Sequence, residues 1–406
     1  MYISPIRSFC LVLVIVIAAV SCSAQKFNPD RSLDYCSSQL FKTLADIPAG
    51  KPNIPRNIKD DQGTWRYVAY TDWTSGFWPG QLWYAYEVTK NDVLKREAER
   101  FTAELLPLST EPAFDHDLGF QVFNSYGHAY RLTGNESFKA VILRTADTLA
   151  TLYNPRVGTI LSWPRSVPNM EWPQHNTIID NMINLELLFW ASKHGGSKSL
   201  YDIAVRHAET TMKNHFREDF SSYHAVVYDR ETGKRIKQVT HQGYSDESMW
   251  SRGQSWAIYG YTMVYRETKD ERFLDFAQKV TDIYLKKLPE DFIPYWDFND
   301  PEIPHAPRDA SAAAVTASAL LELAELVNDR TKSQQYRQAA EKMIEKLSSA
   351  RYQAGQRNSA LIAHVTGHKP GGTEIDTSIN YGDYYYIEAL IRLKKLRAGK
   401  SIHENL

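Results

Sequence analysis

The chain has 406 residues and a formal net charge of −1, from 47 basic and 48 acidic residues. That balance, with no long run of one sign, argues against nucleic acid or an anionic membrane surface as a partner. The length is ample for a large core, and the 10 Trp and 24 Tyr suit a sugar ligand, whose apolar C–H faces stack on rings while NH and OH groups reach hydroxyls.

In chain order, the first element is a leader. Arg7 precedes an apolar run from Phe9 to Val20, then the small residues Ser21-Cys22-Ser23-Ala24. This predicts a signal peptide over 1–24, too short for a transmembrane helix. Cys22-Ser23-Ala24 fits ordinary cleavage. Ala19-Val20-Ser21-Cys22 resembles a bacterial lipobox, with Ala in place of the usual Leu, and cleavage there would leave Cys22 lipidated. The expectation is an exported bacterial protein, periplasmic or a membrane-anchored lipoprotein, with no membrane-spanning segment after signal removal. Residues 25–406 then form a single domain. Cys36 is left without a disulfide partner, and no motif around it suggests catalysis.

The remainder reads as helical hairpins. An N-terminal helix is predicted over 31–45. Apolar helices over 78–89, 120–132, 180–192, 253–266 and 309–326 each lead through a short turn into amphipathic helices over 93–105, 136–152, 199–214, 271–285 and 333–347. A final apolar helix over 381–396 pairs with the N-terminal one. The second helices repeat apolar residues at three- and four-residue intervals, the mark of a half-exposed helix. The first helices are apolar nearly all round, so they are covered on both sides. Six covered helices, each with an outer partner, predict an all-α fold, the (α/α)6 barrel. An open superhelix of hairpins would need polar capping units, and none is seen. The stretches 153–179, 215–252, 286–308 and 348–380 are long enough to be functional loops. His224–Tyr228 alternates enough for a short strand.

Two carboxylates stand out. Asp180 opens an apolar segment in which Asn181 and Asn184 alternate with Met182, Ile183, Leu185, Leu187 and Leu188. Asp117, in Asp115-His116-Asp117-Leu118-Gly119-Phe120, also precedes an apolar segment. Either one alone is most simply a helix N-cap. Buried polar groups need partners or a purpose, however. Two loop-to-helix carboxylates facing one cleft suggest acid/base chemistry.

Several motifs run through the chain in order: Trp73-Thr74-Ser75-Gly76-Phe77-Trp78-Pro79-Gly80, His116–Phe120, Ile179-Asp180-Asn181-Met182, Gln242-Gly243, Trp250–Trp256 and Arg308–Ala312, closed by Gly382–Tyr386. Together they resemble the unsaturated glucuronyl hydrolases, glycoside hydrolase family 88, over nearly the whole chain after the leader. The resemblance implies the (α/α)6 barrel and an enzyme acting after polysaccharide lyases. Such an enzyme removes the 4,5-unsaturated uronic acid from the non-reducing end by protonation at C4 and hydration at C5. It implies Asp180 as acid and base, with Asp117 as the second carboxylate, holding hydroxyls and raising the pKa of Asp180. It also implies substrate contacts from His224, Gln242, Arg252, Trp256 and Trp78, with Arg252 facing the substrate carboxylate and the two Trp stacking on sugar. The alternatives are an unsaturated rhamnogalacturonyl hydrolase of the same barrel, a sugar epimerase, which would rely on histidine bases, or a binding protein, which would leave the Asp pair unexplained.

Other residues keep plainer readings. Asp115, Asp246 and Glu247 are loop charges or caps, and Asp309 with Ser311 caps the fifth inner helix. No Cys/His cluster has metal-ligand spacing and no Gly-rich phosphate loop appears, so no metal or cofactor is expected. The Ala363–Ser378 loop, with His368 and Lys369, is placed at the subsite of the next sugar. The sequence chooses no particular polysaccharide and sets no oligomeric state.

Overall fold

The apolar helices pair off into a closed ring. The computed structural model describes Met1 and residues 27–59 and 63–403. Apart from Met1, the expected signal segment over 1–24 lies outside them. Among the described residues no helix is long and apolar enough to cross a membrane.

The inner ring comprises α2 (Phe77–Thr89), a π-helical segment (Gly119–Gly127) running into α4 (His128–Thr133), α6 (Asn181–Lys193), α8 (Ser251–Thr268), α10 (Ala310–Leu326) and α12 (Asn380–Arg397). Each touches the next, and α12 returns to α2. The outer partners are α1 (Pro29–Asp46), α3 (Asp92–Glu104), α5 (Glu136–Ala150), α7 (Ser199–Asn214), α9 (Glu271–Lys287) and α11 (Arg330–Leu347). α1 lies against α12, as the pairing of the chain's two ends predicts. This is the (α/α)6 barrel, with element ends within a few residues of those predicted.

The physical basis is the one in the sequence. On α10 every residue from Ala310 to Ala324 is buried, whereas α9 buries only one stripe, Phe273, Leu274, Phe276, Ala277, Val280, Thr281 and Tyr284. The outer helices other than α7 start on side-chain caps. Asn91, Asn135, Asp270 and Asp329 each accept from a backbone N–H of the first turn, satisfying donors that the helix itself cannot.

One inner element departs from expectation. The predicted helix over 120–132 begins as a π-helix. Single π turns gather at functional sites, and this one starts two residues after Asp117.

The long loops carry short strands. β1 (Ile54–Ile58) pairs with β2 (Trp65–Val68), and β3 (Tyr153–Asn154) with β4 (Thr159–Ile160). β5 (His175–Ile178), β6 (Ala225–Tyr228) and β7 (Arg235–Val239) form an antiparallel sheet in that order. β6 is the strand expected near His224. All four of its residues are buried rather than alternating, because it is the central strand under covering loops.

Glycines let the inner helices close on α6. A Cβ on Gly119 would lie 2.7 Å from the Asn184 Cα, and one on Gly260 would lie 2.6 Å from the Met182 Cβ. Gly119→Ala is therefore expected to push the π segment off α6. Overpacking of this kind costs about 1–3 kcal/mol, read as a lower thermal midpoint. An unchanged midpoint would show that the two backbones can part freely.

Candidate active site

The inner helices run the same way, since one outer helix lies in sequence between each inner element and the next. Their N-terminal ends therefore gather at one end of the barrel. A cleft of about 250 Å³ opens there, lined by Asp117, Asp180, Gln242, Trp163, Trp73 and Tyr381, with Asp115, Arg165, His241 and His368 among its further walls.

Asp180 precedes α6, yet it is not a working cap. Its backbone is helical (φ −59°, ψ −28°) and its side chain accepts no capping hydrogen bond. Its Oδ2 is buried with no partner. The neighbouring asparagines explain themselves. Asn181 donates to the Ile160 carbonyl (3.2 Å). Asn184 accepts from Phe120 N–H (2.8 Å) and reaches Asp117 Oδ1 (3.4 Å). Burial pushes the Asp180 carboxyl up to about 6, against the pull of His116 and Arg252. Burial, rather than Asp117, is thus the leading cause of the raised acid.

β5 and β6 bring His224 to Asp180. The register pairs Ile178 with Ala225, and Ile179 N–H donates to the His224 carbonyl (2.9 Å). His224 Nδ1 accepts from the backbone N–H of His241 (2.9 Å) and Gln242 (3.2 Å). A nitrogen accepting two such bonds carries no proton, so a neutral ring is protonated on Nε2. That Nε2 lies 4.0 Å from Asp180 Oδ2, too far for a hydrogen bond. Burial, with His241 and Arg252 adding to it, holds His224 well below the ordinary histidine range. It is a neutral donor facing the acid.

Asp117 sits among charges. His116 Nε2 lies 3.3 Å from Asp117 Oδ1, and its Nδ1 contacts Asp115 Oδ1 (2.5 Å) and donates to the Ser162 carbonyl (3.0 Å). Arg165 reaches Asp115 Oδ2 at 2.8 Å. Burial opposes the His116 cation, but Asp117 and Asp115 raise it to about 9. Burial pushes Asp117 well above the carboxylate range, with Asp115 and Asp180 adding to the push and His116 opposing it. Asp115, read as a mere loop charge, is instead part of the cleft. Asp115, His116 and Asp117 bring one donor atom each within 4.8 Å of one another, a spacing a cation could bridge. Those atoms already pair with each other and with Arg165.

Three sequence assignments are corrected. Trp78 is 1% exposed and meets Phe101 edge-on; it lies in the core, because the first turn of α2 turns it toward the outer ring. Trp256 is fully buried between Phe120 and Tyr385, one turn down α8 from the cleft. Neither lines the cleft. Arg252, 1% exposed, has its guanidinium occupied. It donates to Asp309 Oδ2 (2.5 Å) and to the carbonyls of Thr366 (2.6 Å) and Gly367 (2.6 Å). It therefore ties the 363–378 loop to α8 and α10 beneath the cleft, and does not face a substrate carboxylate.

The aromatic walls are others. Trp73 stacks on Tyr381 (5.2 Å between centroids, 29°). Trp163 is fixed by Asn176, which accepts from its N–H (3.0 Å) and donates to its carbonyl (3.1 Å). Trp73 lies in the quoted motif, but nothing in the sequence told it from Trp78. Gln242 is where expected, at the cleft, with Nε2 3.5 Å from the Gly367 carbonyl. The 363–378 loop supplies Gly367, His368, Thr373 and Glu374 to the wall. Lys369 instead pairs with Asp300 (2.8 Å) and Glu302 (2.6 Å). Asp309 caps α10 as expected, accepting from Ser311 N–H.

A larger cavity of about 330 Å³ lies at the other end of the barrel. Its charges are engaged with one another: Glu87 with Arg131 and Lys395, and Glu388 with Arg392. The cleft at the helix N-termini, where the raised acid lies open, carries the chemistry.

An acid-lined cleft with aromatic walls on an (α/α)6 barrel defines a carbohydrate-active enzyme. The Glycosyl Hydrolase Family 88 model matches residues 55–401, and the chain belongs to that family of glycoside hydrolases. It is 42% identical over 361 residues to an unsaturated glucuronyl hydrolase of Formosa agariphila, covering 88% of each chain. It is 36% identical over 333 residues to an unsaturated chondroitin disaccharide hydrolase of Streptococcus pneumoniae, covering 80% of this chain and 82% of that one. A crystal structure of an unsaturated glucuronyl hydrolase specific for heparin superposes with a TM-score of 0.85 at 41% identity, over 91% of this chain and 98% of that one.

The placement of Arg252 generates a prediction. Arg252→Ala leaves Asp309 buried without its cation, which typically costs about 3–5 kcal/mol. Unfolding should register that loss without substrate present. A rise in KM at unchanged stability would return Arg252 to the substrate.

Proposed function

We propose that the protein hydrolyses the 4,5-unsaturated uronic acid from the non-reducing end of oligosaccharides released by polysaccharide lyases. The observation that carries the reading is the buried Asp180 carboxyl, uncapped at Oδ2 and raised to about 6. The C4=C5 bond of such a sugar is an enol ether, attacked by acid at carbon. Asp180 protonates C4, leaving positive charge shared between C5 and the ring oxygen. The resulting carboxylate then takes a proton from water as that water adds at C5. The hemiketal opens and the glycosidic bond breaks without displacement at C1, unlike ordinary glycoside hydrolysis.

The remaining residues have matching parts. His224, with its Nε2–H 4.0 Å from Asp180 Oδ2, turns the positive end of an N–H dipole toward the carboxylate formed there. Asp117, held up by burial, donates to a sugar hydroxyl. Gln242 orients water or a hydroxyl, and Trp73 with Tyr381 offers the ring face. The helix N-termini at the cleft favour an anionic sugar, while Arg56, Arg66 and Arg165 on its walls are paired with Asp72, Glu374 and Asp115. Relatives named for chondroitin and heparin fragments support a glycosaminoglycan source. The leader supports export.

Three measurements test this. Asp180→Asn should stay folded and lose about 10²–10⁴-fold in rate, followed as loss of the substrate's ultraviolet absorbance; activity within a few-fold of the parent removes Asp180 from the mechanism. Because Asp180 acts in its protonated form, kcat/KM should fall as pH rises through about 6. A flat profile from pH 5 to about 8 contradicts a titrating acid. In heavy-oxygen water the label should enter the keto product derived from the unsaturated sugar, and in heavy water deuterium should appear at its C4. Oxygen label at C1 without deuterium at C4 means ordinary hydrolysis.

A further inference from the structure

We propose that Asp115, His116 and Arg165 act as positioning residues: together they fix Asp117 at the cleft wall and set the upper pH limit of the Asp180 acid. This rests on the reading of Asp180 as the acid. The observation is a line of charged contacts from the cleft rim to Asp117, from which Asn184 reaches on to the Asp180 backbone carbonyl. Arg165, 38% exposed, holds Asp115 Oδ2 at 2.8 Å, Asp115 Oδ1 holds His116 Nδ1 at 2.5 Å, and His116 Nε2 lies 3.3 Å from Asp117 Oδ1.

Both polar neighbours of His116 Nδ1 are acceptors. Nδ1 faces Asp115 and the Ser162 carbonyl, and Nε2 faces Asp117. Asp115, kept ionised against burial by His116 and Arg165, faces Nδ1 and holds the ring as the imidazolium. The ring is 1% exposed and meets Trp163 edge-on at 6.3 Å. A cation at such a site is costly unless held by more than one acid. Two acids flank it in sequence and a third, Asp180, acts on it from the start of α6. Packing alone would be served by an uncharged ring. The outer end is braced as well: the Arg165 guanidinium stacks on Phe114, 4.5 Å from its centroid, and donates to the Phe114 carbonyl (3.1 Å).

The consequence for Asp180 has a definite sign. The charged groups acting on it are His116 and Arg252, which favour its ionised form, and Asp115, which opposes ionisation; His224 beside it is neutral. Removing the His116 charge therefore makes Asp180 a weaker acid, protonated to higher pH. The alkaline limb moves up, while the rate falls because the carboxylate left after proton transfer has lost a nearby cation.

The test is the pH–rate profile of His116→Gln on an unsaturated disaccharide, with folding checked by circular dichroism and thermal midpoint. The limb should rise by about one pH unit, the usual scale for a charge removed at close range, and kcat should fall about tenfold with KM little changed. Arg165→Met, on a half-exposed residue, should move the limb the same way by less, and Arg165→Lys should restore it. A folded His116→Gln with an unmoved limb, or one that changes KM alone, overturns the proposal. If His116→Gln does not fold, the Arg165 pair decides, and an unmoved limb in Arg165→Met overturns it. A parent enzyme that consumes no unsaturated substrate refutes the acid reading itself, whereas an active parent with an immovable limb refutes only the positioning role.

Discussion

The site depends on one constraint: a carboxyl must be buried at the head of an inner helix and given nothing to bond with. Burying an acid without partners costs free energy unless it keeps its proton. Asp180 does so only because its surroundings cannot move to meet it. α6 is held on one side by the close approach of Gly119 to Asn184 and on the other by that of Gly260 to Met182. Its helical backbone at the cap position points the side chain away from the first-turn donors. A freer residue would swing round and cap the helix, and its pKa would drop.

The polar groups around Asp180 are fixed by the same means. The Nδ1 of His224 is bonded to the backbone at 241 and 242, so only its other nitrogen is left for the acid. Asn184 spans from the Phe120 amide to Asp117 and so couples the two carboxylate segments. Arg252 lies deeper and holds the loop carrying His368 by its carbonyls. Its charge still reaches Asp180. A structural ion pair beneath the floor thereby helps set the strength of the acid above it.

The barrel was legible because it follows from periodicity. Helices apolar all round alternate with helices apolar along one stripe, and only a closed double ring covers the first kind without spare caps. Asp180 and Asp117 were legible as polar residues opening apolar helices. What the sequence withheld was direction. Trp73 and Trp78 share one motif, but one precedes the helix and faces the cleft while the other sits in its first turn and faces α3. Arg252 and Trp256 share another, and both point into the barrel wall. Asp115 and Arg165 are fifty residues apart in sequence, and nothing local to either marks their contact. The π-helical start at Gly119 was also hidden, since its apolar spacing still reads as an α-helix.

The two ends of the barrel show why pairing separates structure from chemistry. At the far end the charges close on themselves: Arg266 meets Glu186, Glu267 and Glu322, and Arg392 meets Glu322 and Glu388. Those pairs engage the charges there, although the cavity is the larger of the two. At the helix N-termini Asp180 lines the cleft with its Oδ2 unbonded, and the unbonded Nε2 of His224 lies 4.0 Å from it. Each unmet group costs stability. In the proposed mechanism the acid Asp180 and the neutral ring of His224 are the groups turned toward the sugar, while the His116 cation is held behind them by Asp115 and Asp117.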